Sequence, residues 1–130
     1  MKALVLLSHG SRRGESNDEI KALAEEIQSL PDNPFESVEC AFQQFAAPTF
    51  KETIEHLSGR GVVEIVVFPL FLASGHHVRV DVPEMIGQAR KWYPRLKIRV
   101  MTHLGKTPGM ARFLMDEANR GAAPGAVDPA

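Results

Sequence analysis

The chain has 130 residues, and its 15 lysines and arginines against 16 aspartates and glutamates give a formal net charge of −1. This balance argues against a nucleic-acid-binding protein, which needs a clear excess of basic residues, and no apolar run reaches the roughly 20 residues of a membrane span. The one cysteine, Cys40, cannot form an internal disulfide. The five apolar residues Ala3–Leu7 are fewer than the roughly 7–15 apolar residues of a signal peptide. We therefore expect a single domain in the cytoplasm.

Four apolar segments, partly β-branched, are predicted to be strands. In chain order they are Ala3–Leu7, Val38–Phe42, Val62–Phe68 and Lys97–Met101. The third is almost continuously apolar, which is typical of a central parallel strand covered on both faces.

A helix is predicted after each strand, because apolar residues recur there at helical spacing. Three pairs have the spacing of a capping box, and a fourth start signal is a threonine before a proline. These signals are Ser16 with Glu19, Thr49 with Glu52, Asp81 with Glu84, and Thr107 with Pro108. The apolar set of the last helix is Met110, Phe113 and Leu114.

Four successive strand–helix units predict an α/β fold, a flavodoxin-like three-layer sandwich with helices on both faces of a four-stranded parallel sheet. We expect the strand order 2-1-3-4. The domain is placed at residues 1–119, and residues 120–130, whose one sizeable apolar side chain is Val127, are expected to form a disordered tail. Ligands of such sheets bind at the carboxyl ends of the strands.

Histidines are concentrated at those strand ends. His9, His76, His77 and His103 each follow a predicted strand, and only His56 lies on a predicted helix, where we expect it to be solvated. Imidazole binds metals and accepts protons near pH 7, so these loops could form a metal site or an acid–base site. With no cysteine nearby, an open site for an exchangeable divalent metal fits better than a closed zinc site.

Each of these histidines also has a purely structural interpretation. His9 could pack at the end of a buried strand, and His103 could hydrogen-bond its own loop. His76 and His77 point in different directions if the backbone is extended, so at most one is expected to share a site with His9.

Basic and apolar residues follow the same strand ends. Arg12 and Arg13 lie in a loop leading to a helix N-terminus, where anions are attracted, although they could be plain solvated charges. Arg79 and Lys106 flank the same edge. The apolar stretch Phe68–Leu72 is either buried core or an apolar wall for a flat ligand or a subunit partner.

Two motifs together resemble those of a known family. Leu6–Arg12, read as LLSHGSR, resembles the opening motif of the CbiX/SirB-type sirohydrochlorin chelatases. Phe68–Leu72 followed by Gly75–Pro83 resembles their second motif, whose core is G-x-H-V-x-x-D-hydrophobic-P.

Two weaker matches extend this resemblance to about residues 2–118. Ala41–Pro48 resembles a third motif, which usually carries Glu where this chain has Gln44, and Leu104 with Gly105 matches the end of a fourth. An amide cannot accept a proton as a carboxylate can. If the family glutamate is the proton acceptor, its role is missing here or has moved, for example to His103 or His76.

The resemblance implies a chelatase-like fold and a lyase of cobalamin or siroheme biosynthesis. Such an enzyme inserts Co²⁺, Fe²⁺ or Ni²⁺ into sirohydrochlorin or a related tetrapyrrole, with the metal as substrate and without an organic cofactor; we expect Co²⁺ first. The resemblance further implies that His9 and His77 are the metal ligands and proton acceptors. His77 fits rather than His76, because it precedes Val78 and lies four residues before Asp81. By its spacing, Asp81 itself is assigned to the helix N-cap.

A substrate with several carboxylates and an apolar macrocycle needs polar and apolar contacts. The candidates for these contacts are Ser11, Arg12, Leu72, Gly75, Arg79 and Lys106. Larger relatives face two such domains across a cleft, so we expect this short chain to rebuild the cleft as a symmetric homodimer.

Two other functions stay open. A non-catalytic protein that binds tetrapyrrole or metal would need the same histidines. A histidine phosphatase or mutase is suggested by Leu-x-x-His-Gly at Leu6–Gly10, but that chemistry usually places Arg before the histidine, where this chain has Ser8.

Overall fold

The computed structural model describes residues 1–122, apart from the side chain of His77. Strands and helices alternate along the chain. The strands are Lys2–Ser8 (β1), Ser37–Phe42 (β2), Glu64–Pro69 (β3) and Lys97–Val100 (β4). The helices are Gly14–Gln28 (α1), Phe50–Gly59 (α2), Val82–Trp92 (α3) and Met110–Gly121 (α4). A π-helical turn at His77–Asp81 precedes α3, and a 3-10 turn at Leu104–Lys106 precedes α4.

All strand pairs of the sheet are parallel, in the order β2-β1-β3-β4. This order and the α/β class confirm the prediction. Alternate residues of β1 enter two separate cores, because successive side chains of a strand point to opposite faces. One core joins Val5 to α2 and α3, and the other joins Leu6 to α1. Three layers result, with helices on both faces of the sheet.

Two of the four predicted helix starts, at Thr49 and Asp81, are confirmed in position, and Thr49 also makes the predicted capping contacts. The Thr49 hydroxyl accepts from the Glu52 N–H at 3.2 Å, and the Glu52 carboxylate accepts from the Thr49 N–H at 2.9 Å, which is a complete capping box. The prediction that Ser16 caps α1 is wrong, because α1 begins at Gly14 with Arg13 at its N-cap position. Ser16 therefore lies inside the first turn of α1.

The Thr107 signal is wrong as well, whereas the Asp81 signal gives the right start for α3, which begins at Val82 with Asp81 at its N-cap position. Asp81 has a helical backbone at the end of the π turn, and its side chain does not cap α3; its carboxylate instead accepts from the Gln43 side chain. α4 begins behind Gly109 rather than Thr107. The Thr107 hydroxyl donates to the Leu104 carbonyl at 2.8 Å, so it serves the preceding turn.

Helix α4 differs from its prediction in two ways. It runs through Arg120 to Gly121, so the predicted boundary of the tail at residue 120 falls inside the helix, whose last turn includes an Arg120–Glu117 ion pair of 2.7 Å. Residues 123–130 of the predicted tail lie outside the described residues. Moreover, α4 buries none of its residues, so its predicted apolar face does not join the core.

Across residues 1–122, no helix has both the length and the apolar composition needed to cross a membrane.

Candidate functional site

His9 follows β1 and meets Gln44, which follows β2, at the carboxyl edge of the sheet. The Nε2 atom of His9 lies 2.7 Å from the side-chain nitrogen of Gln44, and its Nδ1 atom lies 3.0 Å from the Gly10 carbonyl oxygen. A carbonyl oxygen can only accept, so the hydrogen-bond geometry assigns the donor role to Nδ1. Nε2 then accepts from the Gln44 amide. The nitrogen facing Gln44 thus has the lone pair that a metal or a proton requires.

Gly10 allows the two loops to approach so closely. Its φ angle is 90°, and a Cβ at this position would overlap the Gln44 carbonyl oxygen. The Gln43 and Gln44 N–H groups donate to the Ser8 and His9 carbonyls at 2.8 and 3.0 Å. These hydrogen bonds continue the β1–β2 pairing beyond the strands and fix Gln44 opposite His9.

Phe45 is a residue of this site that sequence analysis missed. It has a left-handed backbone with a φ of 67°, a conformation that is uncommon for non-glycine residues and clusters at functional sites. Its ring centroid lies 6.1 Å from that of His9, and the Arg12 guanidinium lies 4.7 Å from the centre of the Phe45 ring. Phe45 is half exposed, so it presents an apolar surface between His9 and Arg12.

The loop that carries Arg12 is shaped by Asn17, a second residue that sequence analysis missed. The Ser11 N–H donates to the Asn17 side-chain oxygen at 2.9 Å, and the Asn17 amide donates to the Ser11 carbonyl at 2.7 Å. The Ser11 hydroxyl accepts from the Arg13 N–H at 3.0 Å. Asn17 is buried, so it clamps the β1–α1 loop from inside.

A second polar group joins β2 to the π turn. The Gln43 side chain donates to Asp81 at 3.0 Å, and the other carboxylate oxygen of Asp81 lies 3.5 Å from the Nε2 atom of His76. His76 is 71% exposed. The structure therefore places His76 beside Asp81. His77 begins the π turn, and its side chain lies outside the described part of the chain.

The apolar stretch after β3 divides into two parts. Phe68, Leu70 and Phe71 pack against the two cores, as the structural interpretation expects, whereas Leu72 is 75% exposed. The Gly75 carbonyl accepts from the backbone of Arg79 at 3.0 Å. Gly75 and the exposed Arg79 thus belong to the turn that carries His76 and His77.

His103 and Lys106 lie in a groove between α3 and β4, which we call the α3–β4 groove. Its volume is about 740 Å³. His103 is buried and Lys106 is exposed. The residues that line this groove differ from those that surround His9 and Gln44.

His56 is exposed on α2, 3.5 Å from a carboxylate oxygen of Glu39, which confirms its predicted surface position.

No three His, Cys, Asp or Glu side chains converge on one point among the described residues. Cys40 lies in the core beside α1, where burial raises the pKa of its thiol and keeps it neutral. The described groups thus offer a metal an imidazole beside an amide.

The model of the CbiX family matches residues 3–120. The chain belongs to the CbiX family. A curated relative, the sirohydrochlorin cobaltochelatase of Methanopyrus kandleri, is 39% identical to this CbiX chain over 92 residues. The match covers 71% of the chain and 63% of the relative, so the chain spans less than two thirds of that protein's length.

Solved structures confirm the chelatase-like fold. A CbiX protein of cobalamin biosynthesis from Marinobacter aquaeolei superimposes with a TM-score of 0.77 at 29% identity, over 92% of this chain and 95% of the other. The sirohydrochlorin chelatase SirB from Bacillus subtilis, solved with cobalt, gives 0.75 at 25% identity, over 91% of this chain and 50% of SirB. This CbiX chain therefore corresponds to about half of the SirB chain.

Proposed function

We propose that this protein is a lyase that inserts a divalent metal, Co²⁺ before Fe²⁺ or Ni²⁺, into sirohydrochlorin or a related tetrapyrrole. The observation that carries the proposal is the His9–Gln44 pair, in which Nε2 of the imidazole faces the Gln44 amide at the carboxyl edge of the sheet. The cobaltochelatase relative and the cobalt-bound SirB structure support the same chemistry. Metal and tetrapyrrole are both substrates, no organic cofactor takes part, and the product serves cobalamin or siroheme biosynthesis.

Insertion replaces two pyrrole N–H protons with one metal ion. His9 Nε2 is suited first to hold the ion and then, once the ion has moved into the macrocycle, to accept one of the released protons. The Gln44 amide donates to this nitrogen and cannot take a proton as a carboxylate would. The second proton therefore passes to another base, for which His77 is the family's candidate.

The substrate would lie across the same edge. Arg12 and the exposed Arg79 and Lys106 supply cations for its carboxylates. Phe45 and Leu72, both exposed, supply apolar contacts for the macrocycle. Ser11 and Gly75 lie in the loops that carry Arg12 and Arg79.

One such domain offers a single wall to a wide, flat ligand. A symmetric homodimer would place a second copy opposite and complete a cleft. A reaction in the cytoplasm stays a prediction from the sequence.

An insertion assay with Co²⁺, Fe²⁺ and Ni²⁺ tests the function. The wild type and the control variant His56→Ala, altered on an exposed face of α2, should raise the initial insertion rate above the protein-free rate. His9→Ala and His77→Ala should lose roughly 10²–10⁴-fold, as expected when a positioned acid–base group is removed. Full activity in both variants would show that the site assignment is wrong.

The same assay separates the other functions. A protein that only binds tetrapyrrole or metal would shift the absorption bands without raising the insertion rate. A histidine phosphatase would carry phosphohistidine at His9, detectable by mass spectrometry after incubation with a phosphomonoester.

A further inference from the structure

Helix α4 carries an apolar face with no cover in its own domain. Phe113 and Leu114 are each 57% exposed and Met115 is 53% exposed. Phe113 and Leu114 fall on one side with Met110, at helical spacing, and the polar residues Arg112, Asp116 and Asn119 fall on the opposite side. A helix of this length is marginal on its own in water. Its apolar face therefore needs a partner surface.

The α3–β4 groove is a surface of the matching kind. Its apolar lining includes Val82 and Ile86 of α3 and Val100 and Met101 at the end of β4. β4 is an edge strand, and Val100 and Met101 are 40% and 45% exposed there. The groove is thus open along its length to an incoming helix.

Charge favours the same pairing. The formally charged residues that line the groove within residues 1–122 are Arg90 and Lys106, both basic. On α4, Glu117 lies between Phe113 and Leu114 on the apolar side, since it follows them by four and three residues. Glu117 forms a 2.7 Å ion pair with Arg120 of its own helix, and Arg90 donates to the Ile98 carbonyl at 2.7 Å. The contact that charge favours across the groove is therefore the one between Glu117 and the exposed Lys106.

The start of α4 is fixed beside the site. The Gly105 N–H donates to the Phe71 carbonyl at 3.0 Å, and a Cβ at Gly105 would overlap the Leu72 carbonyl oxygen. Only residues 107–109, one of them Pro108, separate this anchored turn from α4. A short connector that holds a helix away from its own domain favours exchange of the helix between two copies.

We propose that α4 of each protomer packs into the α3–β4 groove of a second copy, in a reciprocal two-fold exchange. This inference rests on the homodimer in the proposed function and specifies how that dimer is held. The turn that precedes α4 contacts Leu72 through Gly105, so the exchange also brings the partner next to the loop that follows β3.

Light scattering after size exclusion, at micromolar concentration, tests the helix side of the contact. The wild type should have the mass of two 14.3 kDa chains, and Phe113→Asp and Leu114→Asp should each have the mass of one. Asn119→Asp adds the same charge to the polar face and should stay dimeric. Because α4 buries no residue in its own domain, all three variants should unfold cooperatively like the wild type, and the circular dichroism of the two monomeric variants should fall by no more than the helical signal of α4.

Groove variants test the other side. Val100→Asp and Met101→Asp should each give single chains, whereas the control Val63→Asp, 60% exposed before β3, should stay dimeric. If the α4 variants are monomeric but both groove variants stay dimeric, the two α4 helices pair with each other. That result would overturn the exchange. A dimeric wild type insensitive to the α4 changes would overturn it while leaving the dimer intact. A monomeric wild type would remove dimer and exchange together, and the insertion assay would still judge the activity separately.

Discussion

His9 is oriented by its own chain neighbour, since the Gly10 carbonyl binds Nδ1 and leaves Nε2 to face Gln44. The position of His9 at a strand end could be predicted from the sequence, because Ser8 ends a buried strand. The tautomer could not, because it depends on a local hydrogen bond and on a glycine with a φ of 90°. The ring of Phe45 was missed for a similar reason, since its left-handed backbone has no sequence signal.

Gln44→Glu should strengthen metal binding. A carboxylate in place of the amide would face the lone pair of His9, and a cation between the two would relieve their repulsion. We expect Co²⁺ affinity to rise roughly tenfold, within the range by which groups around metal sites change affinity, together with a changed order of insertion rates for Co²⁺, Fe²⁺ and Ni²⁺. Calorimetric titration measures the affinity, with Gln88→Glu on the exposed face of α3 as control. Unchanged affinity and rates would mean that Gln44 has no part in the site.

Asn17→Ala should destabilise the domain. The change removes both hydrogen bonds that hold Ser11 and leaves its backbone groups without these partners, which costs about 1–3 kcal/mol. Chemical denaturation measures the free energy of unfolding. Ser16→Ala is the matched control, because Ser16 is an exposed residue in the same turn and should change stability by less than about 0.5 kcal/mol. Equal losses in the two variants would contradict the role of Asn17 as a clamp.

Among the elements, strands were easier to predict than helix starts. The apolar runs locate the strands to within one or two residues. Burial on both faces dictates the composition of β1, whereas the edge strand β4 buries only Ile98. The capping box at Thr49 was confirmed since it involves only neighbouring residues. Asp81 has the same spacing to Glu84, but its carboxylate meets Gln43, 38 residues away in the chain. Such a contact cannot be read from local spacing.

Glu52 should make the stability of the domain depend on pH. Its hydrogen bonds to the backbone and side chain of Thr49 lower the pKa of its carboxyl below the ordinary value of 4.5. The stabilisation is therefore fully present above that value and is lost as the pH falls through the lowered pKa. Glu52→Gln keeps an acceptor for the Thr49 N–H but does not titrate. The wild type should thus lose stability relative to Glu52→Gln in this acidic range, measured by thermal unfolding across pH; parallel curves would contradict it.

For the molecule as a whole, the alternation of strands and helices was enough to predict the sheet order and the carboxyl edge at which His9 lies. It was not enough to predict that Phe113 and Leu114 stay exposed on α4. Helical spacing shows that a face is apolar but not which surface covers it. If a helix packs against a second copy, the covering surface lies in another molecule. The sequence around the helix then carries no local signal for that surface.

Insertion activity per chain should fall on dilution. If two copies form the cleft, mass action depletes the dimer as the protein is diluted. The measurement is the initial rate divided by chain concentration over a dilution series, with molar mass followed in parallel. Phe113→Asp is the matched control, and its lower specific activity should not vary with concentration. A constant specific activity for wild-type protein that light scattering shows to be monomeric would contradict the requirement for two copies.

Because α4 buries none of its residues, the two cores of the domain are complete without it. Folding of the sheet is then a first-order event within one chain, and docking of α4 is a separate, second-order encounter. Refolding should therefore show two kinetic phases. The rate of the first is independent of protein concentration, and the rate of the second increases with protein concentration.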